Sequence, residues 1–194
     1  LANDQIHYME VKIELLQQCI QENRKAQLAL YKQCYGILMS VCYRYEKNRE
    51  EAEELLNLSF FKILTHLKNY NTAVPFEAWI RRITINTAID EYRKKQRQQL
   101  DYYEEPSIAA NMEQLDYNQA DQNYDAEELT NMIRQLPPLS QKVFNLYIID
   151  GYSHKEIGQQ LQMSEGTSKW HLSNARKKLQ LMLKALRSNV AMLL

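Results

Sequence analysis

The chain has 194 residues, 45% of them apolar, with 24 basic and 24 acidic side chains and only four Gly and four Pro. That suffices for one ordinary domain or two small ones, and so few turn formers leave room for little but an almost entirely helical protein. Zero net charge argues against tight, unspecific affinity for phosphate, yet it hides a segregation: residues 98–133 contain no Lys or Arg, while 81–97 and 169–187 are rich in them.

Cys19, Cys34 and Cys42 are odd in number, fall within helical patterns and form no C-x-x-C pair. They read as reduced thiols that pack a core in a cytoplasmic protein. No apolar run approaches the roughly 20 residues of a membrane helix and no signal peptide is visible, so no membrane insertion is expected.

In chain order, the first strong helical pattern is Gln27 to Tyr45, where Leu28, Tyr31, Tyr35, Leu38, Cys42 and Tyr45 recur at helical spacing as a core stripe. The next helix, about Arg49 to Leu67, places Ala52, Leu55, Leu56, Ser59, Phe60, Ile63 and Leu67 on one arc. Glu54, Asn57, Leu58 and Phe61 then fall on the far side. An outward Phe and Leu beside an acidic residue suit a protein-binding face, unless a neighbouring helix covers Phe61.

A polar loop, Lys68 to Val74, is closed by Pro75 and followed by the helix FEAWIRRITINTAIDEYRKKQR. That helix has two apolar arcs, one of Trp79, Ile80 and Ile83, the other of Ile85, Ala88, Ile89 and Tyr92. Between them Arg82, Asn86, Asp90 and Arg93 form a narrow polar ridge, continued by Lys94, Lys95 and Arg97. Such a ridge can position phosphates and meet base edges, and it equally suits a solvated face. Asn69, Tyr70, Asn71 and Thr72 in the loop can stack on and hydrogen-bond an unpaired base.

Gln98 to Asp125 has no sustained apolar period, contains Pro106 and is purely anionic. It reads as a tether and domain boundary, with passage through a basic channel of a partner as the alternative.

Beyond it, Leu129, Met132, Ile133 and Leu136 stripe a helix ended by Pro137-Pro138, and Leu139, Val143, Leu146 and Tyr147 stripe a second, closed by Asp150-Gly151. Ser153-x-x-Glu156 has capping-box spacing and opens a short helix with Ile157 and Leu161 inward and Gly158 suited to a close approach. Met163 and Ser164 make a turn, with Ser164 an N-cap. In the last helix Leu172, Ala175, Leu179, Met182, Leu183 and Leu186 share one arc. Opposite lie Trp170, Ser173, Asn174 and Lys177, flanked by Thr167, Lys169, His171, Arg176 and Lys178. An exposed Trp170 should be covered in use. A recognition helix in a major groove accounts for the stripe: Asn174 suits adenine edges, Lys169 guanine, Trp170 a thymine methyl, and the basic flanks phosphate. His154 and His171 show no ligand spacing and read as polar surface residues; no metal or cofactor is expected.

The pattern LPPLSQKVFNLYIIDGYSHKEIGQQLQMSEGTSKWHLSNARKKL resembles region 4 of bacterial RNA polymerase sigma factors of the extracytoplasmic-function group, and EEAEELLNLSFFKIL with FEAWIRRITINTAIDEYRKKQR resembles their region 2. The resemblance implies an all-α fold of two small helical domains, a region 2 bundle over 1–97 and a region 4 helix-turn-helix over 126–194, joined by the acidic linker 98–125. It implies no enzymatic activity. The implied partners are promoter DNA, core polymerase through the β′ clamp helices and β flap, and an anti-sigma factor of the kind common in the group.

Carried over by position, the polymerase-binding residues would be Glu54, where Asp is usual, and Asn57, where Gln is usual, with Leu58 and Phe61 beside them. Asn69, Tyr70, Asn71 and Thr72 match the loop that captures a flipped −10 base, with Asn86 on its supporting helix and Arg82 and Arg93 on the same ridge. Ser164, Thr167, Lys169, Trp170, His171, Ser173, Asn174, Arg176 and Lys177 would form the −35 surface. Three positions depart from the pattern: Trp170 replaces a usually small residue, Asn174 sits where Arg is frequent, and Ser168 takes an inward position normally apolar. The runner-up is an ordinary helix-turn-helix regulator with an N-terminal helical interaction domain.

Overall fold

A computed structural model describes residues 9, 11–100 and 126–192. The chain divides into two compact units, one ending at Tyr92 and the next beginning at Arg93, whereas composition placed the first boundary after Arg97. The division falls inside a helix because Lys94, Lys95 and Arg97 are exposed and add nothing to the first core. The linker expected over 98–125 lies outside the described residues from residue 101 onward.

The first unit contains α1 (Ile13–Ile20), α2 (Arg24–Tyr45), α3 (Arg49–His66), a single 3-10 turn at Leu67–Asn69, and most of α4 (Phe76–Leu100). Helix α1 was not anticipated: it is eight residues long and buries only Leu16 and Cys19. It turns back through Glu22, whose φ of 61° is left-handed, into Asn23, which caps α2 by accepting from the Lys25 and Ala26 amides. Asn48 caps α3 through the Glu51 amide at 2.8 Å.

The buried seam of α2 is Ala26, Leu30, Cys34, Leu38, Val41, Cys42 and Tyr45. This corrects the expected stripe, since Leu28 is exposed and Tyr31 and Tyr35 are half-buried. The helix is contacted by both α1 and α3, and the run at i, i+4 through Ala26 and Cys34 lets it approach them closely, which the larger tyrosines would not. The α3 arc is buried as expected. Cys19, Cys34 and Cys42 are all buried free thiols, and burial pushes Cys34 and Cys42 up to about 12; both are core groups.

The second unit contains α5 (Ala126–Arg134), α6 (Pro138–Phe144) continuing into a π-helical turn at Asn145–Ile149, α7 (His154–Leu161) and α8 (Glu165–Met192). Pro138 sits at the start of α6, where a missing amide costs nothing. Met132, Ile133 and Leu136 pack on Ala175 and Leu179, with Phe144, Met182, Leu183 and Leu186 around them. Val143, Leu146, Ile157, Leu161 and Leu172 are buried as well.

Two expected stripe members are turned outward: Leu129 and Tyr147 are both exposed. At Tyr147 the reason is the π-helical turn, closed by the Asp150 amide on the Asn145 carbonyl at 2.9 Å. Its wider turn carries Tyr147, Ile148 and Ile149 to the surface together. Gly151 follows with φ 76°.

The capping box at Ser153 and Glu156 is complete. Helix α7 ends on Gln162 in left-handed conformation, with the Met163 amide bonding the Gly158 carbonyl at 3.0 Å. A Cβ on Gly158 would stand 2.8 Å from the Met163 carbonyl oxygen, a backbone atom that cannot move aside. Gly158→Ala should therefore destabilise the second unit by about 1–3 kcal/mol. Amide exchange measured across the whole chain should show faster opening of α7 and α8 with α2 and α3 unchanged.

Candidate functional site

Two surfaces carry the residues singled out from the sequence, one on each unit. On the first, α3 turns Glu54, Asn57 and Phe61 to solvent, with Leu58 half-buried. Phe61 is 67% exposed, so no helix of the unit covers it. Asn57 is held from behind: the Tyr31 hydroxyl donates to its Oδ1 at 3.1 Å, and the Tyr31 ring meets the buried Phe60 edge-on at 5.0 Å. Tyr31 was read only as a core residue. Its polar end reaches another helix, and spacing within α2 could not reveal that.

The segment after α3 is folded upon itself. The Tyr70 hydroxyl donates to the Val74 carbonyl at 2.7 Å, and the Asn71 side-chain oxygen accepts from the Ala73 amide at 2.9 Å. The Tyr70 ring packs on Phe76 and Trp79, with centroids 5.2 and 5.0 Å away. Tyr70, half-buried, and Asn71 thus brace the loop, and Asn69, Asn71, Thr72 and Val74 are among its exposed members.

On α4, Arg82 is exposed and Asn86 half-buried. Asp90 of the ridge is engaged by Lys62 of α3 at 3.2 Å. This pair, undetected in the sequence, leaves the ridge more basic in effect than its composition. Arg93 lies one turn further along α4.

On the second unit the first turn of α8 is capped by Ser164, whose Oγ accepts from the Thr167 amide at 3.0 Å and lies 2.8 Å from the Thr167 hydroxyl. Lys169 is exposed and pairs with Glu165 at 2.9 Å. Trp170, Ser173, Asn174, Arg176 and Lys177 are half-buried. For Trp170 this corrects the expectation of an exposed ring: the His171 ring meets the indole edge-on at 4.7 Å.

Neither histidine is the simple surface group expected. His154 Nδ1 lies 2.9 Å from the hydroxyl of the fully buried Ser168, and its ring stacks on Tyr147 at 4.3 Å. His171 Nδ1 lies 3.0 Å from the buried Ser140 hydroxyl on α6. Serine at inward position 168, odd in the sequence, is thereby explained: it has a partner across the turn. Among the described residues no group of three His, Cys, Asp or Glu could hold a metal, and no helix is long and apolar enough to cross a membrane.

Comparison with known proteins matches both parts of the chain that carry these residues. The family model for sigma-70 region 2 matches residues 30–98, and that for sigma-70, region 4, matches residues 126–179. The ECF RNA polymerase sigma factor SigW of Bacillus subtilis is 31% identical over 160 residues, covering 77% of this chain and 84% of the relative. The ECF RNA polymerase sigma factor SigE of Mycolicibacterium smegmatis is 30% identical over 144 residues, 72% of this chain; the match spans about half of that relative, 54%. Among solved structures, the sigma factor RpoE in complex with the anti-sigma factor NepR from Bartonella quintana aligns with a TM-score of 0.48 at 19% identity, over 80% of this chain and 97% of that one.

Burial lowers the pKa of both histidines below the ordinary 6.5, and for His154 the nearby Lys169 and Arg176 add to this against Glu165. The unfolded chain therefore takes up these protons first. Their contribution to stability is whole above about pH 6.5 and is lost as pH falls below it. Amide exchange of α7 and α8, followed from about pH 8 to pH 5.5 and corrected for intrinsic rates, should show opening that grows easier below about pH 6.5. In His154→Phe that dependence should weaken, leaving the share of His171.

Proposed function

The chain belongs to the extracytoplasmic-function group of sigma-70 family RNA polymerase sigma factors, and on that premise we propose that it binds core RNA polymerase and directs promoter-specific initiation by reading −10 and −35 elements. The observation that carries this reading is the presence of regions 2 and 4, in order, on one chain. In this role the protein contributes no catalysis. It acts in the cytoplasm, where the polymerase is.

Glu54, Asn57, Leu58 and Phe61 form the proposed polymerase-binding face. An exposed Phe beside Leu is costly to leave in water and gains by being covered. The same argument makes an anti-sigma factor, which would cover that face in the absence of polymerase, a proposed second partner. Asn69 and Thr72 at the loop surface are proposed to meet the unstacked −10 base, with Tyr70 and Asn71 shaping the loop and Arg82, Asn86 and Arg93 lining the approach.

On α8, Lys169, Trp170, Ser173 and Asn174 are the proposed base readers, with Arg176 and Lys177 on phosphate and Ser164 and Thr167 shaping the helix end. His171, fastened to Ser140, is proposed to support the surface rather than read bases. Each reader is weak by itself. Polymerase holds the two at fixed spacing, so the second binds at the effective concentration set by the first.

Transcription in vitro with purified core polymerase on a promoter library tests the reading. Glu54→Lys should weaken core binding at least tenfold, about 1.4 kcal/mol, with amide exchange of α5 to α8 unchanged; undiminished core binding overturns the assigned face. Asn174→Ala should relax preference at one or two −35 positions by about 1–3 kcal/mol. Equal loss on every −35 variant would instead make Asn174 a positioning residue.

A further inference from the structure

The first turns of α8 are fixed to the rest of the second unit by two histidine–serine bridges of opposite sense. In one, His154 at the start of α7 meets Ser168 of α8 at 2.9 Å; in the other, Ser140 of α6 meets His171 of α8 at 3.0 Å. Ser168 and His171 are three residues apart and so share one side of the helix. Lys169, Trp170, Ser173 and Asn174 are interleaved with them. We infer that the His154–Ser168 bridge is a specificity-determining positioning device that fixes the rotation of α8 about its axis and hence which base edges its side chains reach; this rests on the reading of α8 as the −35 reader.

The chemistry favours a directional role. Ser168 is fully buried, and an unpaired hydroxyl there would be strongly disfavoured. An apolar side chain at this point would pack equally well over a range of rotations, since dispersion contacts have little angular preference. A hydrogen bond weakens steeply as its angle departs from linearity. His154 cannot swing to follow a rotating Ser168, because its other face is stacked on Tyr147 at an interplanar angle of 21°. Tyr147 is in turn carried by the π-helical turn. The line Tyr147, His154, Ser168 therefore ties the end of α6, the start of α7 and the first turn of α8.

The charged groups bearing on His154 are Lys169, Arg176 and Glu165, all on α8. A neutral ring can accept the Ser168 hydroxyl at Nδ1 with its proton on Nε2, or donate from Nδ1 to the hydroxyl oxygen; either way the bond is directional.

The test uses the full-length protein with core polymerase on promoters that share one −10 element and carry a randomised −35. Wild-type protein selects a preferred −35. In Ser168→Ala and in His154→Phe, which keeps the stacked ring, preference for that sequence over its single-base variants should fall roughly fivefold or more. His154→Asn keeps an acceptor near the Nδ1 position and should restore the wild-type ranking. Dependence on the −10 element should stay as in wild type throughout. Wild-type ranking retained by both His154→Phe and Ser168→Ala, at whatever transcript level, overturns the inference, as does failure of His154→Asn to differ from His154→Phe. If Ser168→Ala does not fold, the His154 pair decides alone. Absence of any −35 preference in the wild type would overturn the reading of α8 itself and this inference with it.

Discussion

Three short helices in the second unit depend on one long one. Helices of seven to nine residues such as α5, α6 and α7 have too few internal hydrogen bonds to stand alone in water, and they become stable by burying their apolar sides on the inner face of α8. Leu172, Ala175 and Leu179 supply that face, each large side chain contributing about 1.5–3 kcal/mol on burial. The outer face of the same helix takes little part in that core. This division lets positions 169, 170, 173 and 174 vary without dismantling the unit.

The first unit divides labour differently. There polar contacts hold side chains in place: Tyr31 of α2 holds Asn57, Lys62 of α3 holds Asp90, and within α4 Arg81 binds Glu77 at 2.7 Å on the helix's partly buried start. For Glu77, burial would raise the pKa, but hydrogen bonds from Arg81 and the Met9 amide outweigh it, and the carboxyl is held below its ordinary range. Exposed ion pairs contribute little stability individually. Their effect here is geometric, limiting the directions in which a surface side chain can point.

Much of this was legible in the sequence because it is written in local spacing. The α3 arc, the Ser153–Glu156 capping box and the inner stripe of α8 all follow from offsets of three and four residues; the need for Gly158 was read as close approach to the next helix, and the close atom is the Met163 carbonyl of the turn before it. What was not legible involves partners distant in the chain or a break in period. The stripe of α2 was misplaced because Tyr31 and Tyr35 are amphipathic and sit at its edge, while Ala26 and Cys34 look unremarkable by composition. The extra residue of the π-helical turn shifts the phase after Phe144, so Tyr147 emerges on the wrong side. His154 and Ser168 are 14 residues apart, and His171 and Ser140 are 31 apart, so no periodicity could pair them. The assignment of the exposed α3 face and of the α8 readers drew on family resemblance as well as on pattern, since exposure alone names no partner.

If the loop between α3 and α4 meets an unstacked −10 base as proposed, its internal bonding bears on how a promoter opens. The Tyr70 hydroxyl donates to the Val74 carbonyl and the Asn71 side-chain oxygen accepts from the Ala73 amide, both inside the loop. The conformational entropy of this segment is thus lost when the protein folds, not when DNA strands separate. On the proposed reading, a base leaving the stack would meet a surface already shaped to receive it, so the free energy gained on contact could be set against unstacking instead of against ordering the protein.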